Sequence, residues 1–117
     1  MQVTLGWTEY RPKWGDGQVV LSLKPLTNAA LLALMPYFES TDAEDGKTAI
    51  GRILHIQEAA APILPGFCRV LAGLQDETGN LVTVEQIAAE APLMELCVEV
   101  IGELVTRSRL GRVDQGN

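Results

Sequence analysis

The stretch APLMELCVEVIGELVTRS, residues Ala91–Ser108, decides how the rest of the chain is read. Pro92 suits the first turn of a helix, because the N–H it lacks would have no partner there. Set at 100° per residue, Glu95, Glu99, Gly102, Glu103 and Thr106 fall in one arc of roughly 100°. Leu93, Leu96, Cys97, Val100, Ile101 and Leu104, with Met94, Val98 and Val105, fill about 200°. A surface helix facing one core needs about half that apolar width. Two arrangements use the surplus. Either the helix is central and packed on two sides, or the shoulder Met94, Val98 and Val105 meets a second protein chain. Those three are therefore candidate partner-binding residues.

Working back from that helix, Thr83-Val84-Glu85-Gln86 fits a capping box and opens a short helix to about Glu90. The run Asp76–Asn80, DETGN, is turn chemistry. Gly66–Leu74 reads as an apolar helical segment carrying Cys68, and Cys97 likewise lies in a helical pattern. Pro62 and Pro65 end a helix that starts near Lys47, with Ile50, Ile53, Leu54 and Ile56 on one side and Arg52, His55 and Glu58 on the other. Thr27 or Asn28 caps an earlier helix running to about Phe38. Its sequence AALLALMPYF is apolar on every face, which makes it central or part of an interface, and Pro36 is expected to kink or end it. The acidic loop ESTDAEDG follows.

The beginning of the chain has a different period. Val3, Leu5 and Trp7 alternate with polar or small residues, as do Val19, Leu21 and Leu23, and RPKWGDG between them is a turn sequence. This predicts a β-hairpin over residues 3–24, which must pack on helices or find a partner's edge. Trp14, beside Arg11 and Lys13, is a fourth candidate binding residue, since aromatics next to cations are favoured at interfaces. The alternative is a loop tryptophan folded back on its own domain. The expected architecture is mostly α (α+β): one domain over 1–117, with about four to five helices in a body at 27–110, the N-terminal β-hairpin, and a flexible tail at 111–117.

Composition narrows the function classes. The 117 residues are 47% hydrophobic and 21% charged, ordinary for a globular chain that can bury one core. The longest apolar stretches fall short of a membrane span, and MQVTLGWTEY lacks the pattern of a signal peptide. The expectation is a cytoplasmic protein with no membrane partner, its two cysteines serving as small buried hydrophobes. The net charge of −6 is uneven: +1 over residues 1–24, −9 over 25–106 and +2 over 107–117. An acidic body repels nucleic acid, so no nucleic-acid partner is expected.

The chemistry-bearing motifs fail one by one. GDGQVV, residues 15–20, has Val20 where a phosphate loop needs its third glycine, and a strand follows instead of a helix. In DAEDG the carboxylates are out of register for a calcium loop. His55 is the only histidine, and Ser22, Ser40 and Ser108 lie in no nucleophile elbow. No catalytic residue, metal or cofactor is expected. Residues Leu81–Leu104 resemble a helix-turn-helix, but the would-be recognition helix presents Glu95, Glu99 and Glu103 and would meet phosphates with like charge.

The order of these parts, over residues about 20–110, resembles the tail assembly chaperones of long-tailed bacteriophages. The resemblance is carried by a short strand leading into VLSLKPLTNAALLALMPYF, an acidic loop, proline-broken apolar helices, an Asp/Gly turn, and VTVEQIAAEAPLMELCVEVIGELV with a polar tail. Members often finish in a charged Lys-Asn tail, whereas this chain finishes RVDQGN. The resemblance implies a prophage-encoded factor, absent from the virion, that coats the tape-measure protein and helps tail-tube subunits polymerise, often with a longer frameshifted form. Homo-oligomers fit the same reading. The alternatives are a small phage structural or virion-assembly protein and a helix-turn-helix-like DNA-binding regulator.

Overall fold

A computed structural model describes residues 3, 5–39 and 46–110. Among these, strands β1 (Thr8–Tyr10), β2 (Val20–Leu23) and β3 (Cys68–Ala72) form one antiparallel sheet in the order β1-β2-β3. The helices are α1 (Asn28–Glu39), α2 (Gly46–Ala60), the single turn α3 (Val84–Ile87) and α4 (Met94–Leu110). Short 3-10 turns at Leu64–Gly66 and Ala91–Leu93 precede β3 and α4. The α+β class expected from the sequence is what the chain adopts, and the hairpin is extended by a third strand.

β2 forms where alternation is strongest. Val19, Leu21 and Leu23 all point into the core and are at most 2% exposed. Pro25 follows Lys24 and has no N–H to donate, so β2 stops there. That stop also shortens β1: Thr8 pairs with Leu23, and residues before Thr8 have no strand to lie on. Val3 and Leu5 are accordingly 54% and 71% exposed, not the buried face their alternation suggested.

Gly66–Leu74 is where the helical expectation fails. CRVLA becomes β3 because it is a short apolar run bounded by Pro65-Gly66 and Gly73, and because β2 has an open edge to receive it. Cys68 and Val70 pair with Leu23 and Leu21, and the register slips between Leu21 and Val20 so that Leu71 is the extra residue of a bulge.

The other departures are smaller. α1 runs through Pro36 to Glu39; Pro36 is exposed, so the carbonyl it leaves without a donor lies on the wet face. The capping box at Thr83 is formed, with Gln86 N–H donating to Thr83 Oγ1 and Thr83 N–H to Gln86 Oε1, but the helix closes at Ile87. Asp76 Oδ1 accepts from Thr78 N–H, Thr78 Oγ1 and Asn80 N–H, which fixes the DETGN turn and holds its carboxyl below the usual range. Residues 40–45 of the acidic loop and the 111–117 tail lie outside the described residues.

One core cluster gathers Val19, Leu21, Leu23 and Cys68 from the sheet, Leu34 and Ile56 from α1 and α2, Ile87 from α3, and Leu96, Cys97, Val100, Ile101, Leu104 and Val105 from α4. Burying each large aliphatic side chain contributes about 1.5–3 kcal/mol. Gln57 is one of two buried polar residues, with Ser22, and is 4% exposed; its Nε2 donates to the carbonyls of Ile87 (2.9 Å) and Glu90 (2.8 Å), tying α2 to the end of α3. Ser108 Oγ joins the other end, accepting from Leu26 N–H (2.8 Å) and donating to the Leu104 carbonyl (2.6 Å).

Candidate functional site

The polar arc of α4 is only partly solvated: Glu95 and Thr106 are exposed, whereas Glu99, Gly102 and Glu103 are half-buried. β1 and the loop after it lie on this arc, and Glu99 fastens them there. Its Oε2 accepts from the Tyr10 hydroxyl (2.6 Å) and the Lys13 backbone N–H (2.6 Å), and its Oε1 accepts from the Trp14 N–H (3.0 Å). One turn on, Glu103 Oε2 holds Arg107 Nε at 2.7 Å. Arg107 Nη1 donates to Thr8 Oγ1 at 2.6 Å, and its guanidinium lies 5.4 Å from the centre of the Tyr10 ring. Burial, then the hydrogen bond and charge of Glu99, raise the Tyr10 phenol well above its ordinary range.

This arrangement decides what α4 can do. A recognition helix must offer a face to the DNA groove. Here one side of α4 is core, the carboxylates Glu99 and Glu103 are engaged with β1 and its loop, and Glu95 and Thr106 are left exposed.

Of the four candidate partner-binding residues, one is buried and three are half-buried. Val105 is 6% exposed and belongs to the core, so it is a packing residue. Val98 is half-buried and packed against the same cluster, and Met94 is half-buried. The wide apolar arc thus goes with a helix covered on more than one side. Trp14 is half-buried against the core with its N–H on Glu99, a loop tryptophan folded back on its domain. Nothing in the local sequence signalled Glu99 as its anchor, because the two are 85 residues apart.

Exposed apolar surface lies instead on α1 and α2. On α1, Ala30 and Leu34 face the core, while Ala29, Leu32, Ala33 and Pro36 all face water, Leu32 at 68%. On α2, Ile50 and Leu54 are 51% and 45% exposed, whereas Ile56 is buried. The sequence did carry this signal: a helix apolar on every face leaves one face uncovered unless it sits at the centre.

The remaining reactive groups are scattered. His55 is exposed, with Nδ1 3.9 Å from Glu58 Oε1. Among the described residues no three His, Cys, Asp or Glu side chains converge as metal ligands. Nor is any described helix long and apolar enough to cross a membrane. No protein-family model, curated protein or solved structure matches the chain.

Cys68 and Cys97 are free, buried and pushed up to about 12, mainly by burial, with Cys97 adding to the shift of Cys68. At about pH 8 roughly one native thiol in ten thousand is ionised, so a disulfide reagent should leave the folded chain unmodified. Both thiols should react once guanidinium unfolds it. The raised values also set a pH dependence: the native thiols keep protons that the unfolded chain releases from its ordinary value of 9.0 upward. Stability should be fully present below pH 9.0 and fall as pH rises toward about 12, with Tyr10 acting in the same direction. Urea midpoints measured across that range, and a thiol count before and after unfolding, check both expectations.

Proposed function

We propose that this chain is a non-enzymatic assembly factor that holds other proteins, in the manner of the phage tail assembly chaperones its sequence resembles, and that it works in the cytoplasm of a bacterial host. The reading is carried by the outer stripe of α1. Ala29, Leu32, Ala33 and Pro36 follow the i, i+3, i+4, i+7 spacing of one helix face and are all exposed. A stripe of that kind suits the apolar face of a partner helix. A tape-measure protein, being a long helix that aggregates when bare, offers such a face repeatedly, and tail-tube subunits are the second expected partner. The acidic body, −9 over residues 25–106, opposes self-association while the stripe is empty.

The site proposed here moves from the α4 shoulder to α1. Leu32→Glu adds a charge to a side chain that is already 68% exposed, so helical content and urea midpoint should change little. Partner capture should fall at least about tenfold, as for the loss of a central apolar anchor. Capture unaffected by Leu32→Glu would remove α1 from the account. Purified particles separate this reading from a structural virion protein: a chaperone is absent from them, and a structural part is present at fixed copy number.

A further inference from the structure

Of the two strands at the edges of the sheet, β1 is the uncovered one: Thr8 and Glu9 are exposed, whereas Cys68 of β3 is 1% exposed. The hydrogen-bond phase shows which backbone groups β1 turns outward. Lys24 N–H donates to the Phe67 carbonyl at 3.0 Å, so Lys24 and Phe67 form a bonded pair across β2 and β3. Bonded pairs alternate with non-bonded ones along an antiparallel ladder. Ser22 therefore also turns its backbone to β3, while Leu21 and Leu23 turn theirs to Tyr10 and Thr8 of β1. The N–H and C=O of Glu9, and in the same phase those of Trp7, point away from the sheet, and no described residue bonds them.

The chain ahead of β1 carries strand chemistry without a strand to pair with. Val3, Leu5 and Trp7 alternate with polar or small residues, but β2 stops at Leu23 and Leu5 is left 71% exposed. The Trp7 ring lies back over the sheet, with the Arg69 guanidinium of β3 3.9 Å from its centre, and so leaves the edge clear. The chain bends at Gly6, where nothing would lie within 4 Å of an added methyl. A glycine in open space straightens without steric cost.

We infer that the segment Leu5–Glu9 pairs antiparallel with the same segment of a second copy of this chain, joining the two sheets edge to edge through β1. With the two-fold centred on Trp7, the bonded pairs are Leu5 with Glu9 of the second copy, Trp7 with Trp7, and Glu9 with Leu5, each exchanging both backbone hydrogen bonds. Leu5 then lies against the aliphatic stem of Glu9, and the two Glu9 carboxylates stay at opposite ends of the pairing. Gly6 falls opposite Thr8, so no side chain of the added strand crowds the hydrogen bond from Arg107 to Thr8. A two-fold centred on Glu9 would set two carboxylates directly opposite, which is destabilising. Charge also favours this edge: residues 1–24 carry +1, whereas residues 25–106 carry −9 and repel their like. The edge is separate from the α1 stripe, and the pairing stands whatever that stripe binds.

So short a pairing makes a weak interface, and sedimentation of the full chain from about 10 μM to about 1 mM should show monomer passing into dimer. As the dimer fills, the Leu5 and Glu9 amides of the nitrogen-15-labelled chain should exchange with solvent more slowly. Leu5→Pro removes an N–H that only the dimer uses, at a side chain 71% exposed, so the monomer should keep its fold. Its dissociation constant should rise at least about tenfold, and that of Leu5→Ala, which keeps the N–H, by less. The inference is overturned by a chain that stays monomeric to the top of that range. It is equally overturned by a dimer that Leu5→Pro leaves unchanged, or by one whose Leu5 and Glu9 amides exchange as in the monomer.

Discussion

Gly73→Ala is expected to remove a large part of the stability of this fold. A methyl at Gly73 would lie 1.8 Å from the Gln18 carbonyl oxygen and 2.4 Å from its carbon. Both are backbone atoms, so no side chain can move aside. The φ of +83° adds a second penalty of about 1–2 kcal/mol for an L side chain. Separating β3 from the start of β2 costs a further amount of about 1–3 kcal/mol, the range seen for overpacked sites. Together these approach the lower end of the 5–15 kcal/mol that typically holds a domain. Gly79→Ala is the internal control, because φ there is +90° but nothing lies within 4 Å of the added methyl. Urea unfolding should show a loss of about 1–2 kcal/mol for Gly79→Ala and about 1–3 kcal/mol more for Gly73→Ala. Equal losses would mean that the close approach of Gln18 to Gly73 is not part of the native state.

Glu99→Ala should have the second largest effect. The carboxylate takes three hydrogen bonds from β1 and its loop, and bonds to a charged acceptor are worth more than neutral ones. Lys13 is exposed and its freed N–H can turn to water, which limits the expected loss to about 2–3 kcal/mol. Glu99→Gln keeps one accepting oxygen and should fall between. The signature is local: Trp14 should become accessible to acrylamide while helical content stays. A Glu99→Ala protein whose Trp14 remains shielded would show that apolar packing alone seats the loop.

Both residues illustrate where the fold was legible and where it was not. Val19, Leu21 and Leu23 announce a buried strand face by alternation, the Thr83–Gln86 capping box announces a helix start, and the wide apolar arc of α4 announces a helix covered on more than one side. Each signal is local. β3 was hidden because CRVLA has no period of its own; it becomes a strand through pairing with β2, which lies on the other side of α1 and α2 in the chain. The Glu99 anchorage was hidden for the same reason, and without it the acidic arc of α4 reads as a solvated face. Trp14 and the shoulder residues Met94, Val98 and Val105 were singled out as more apolar surface than one core needs. Val98 and Val105 pack against the core cluster, and Trp14 packs there too with its backbone N–H on Glu99. The corresponding excess on α1 has no such cover among the described residues, and that difference moves the proposed binding surface from one helix to the other.

The tests then bear on different parts of the molecule. Gly73 and Glu99 concern how the sheet and its loop are held, and Leu32 concerns the partner. Only the last reaches the proposed role. The most direct measurement is affinity capture of the tagged chain from host cells in the course of tail assembly, with the captured proteins identified by mass spectrometry and Leu32→Glu run in parallel. The expected result is a long, helix-rich tape-measure protein or tail-tube subunit dominating the capture and missing from the Leu32→Glu sample. A capture holding only host transcription machinery and DNA, or the chain by itself, would contradict the account.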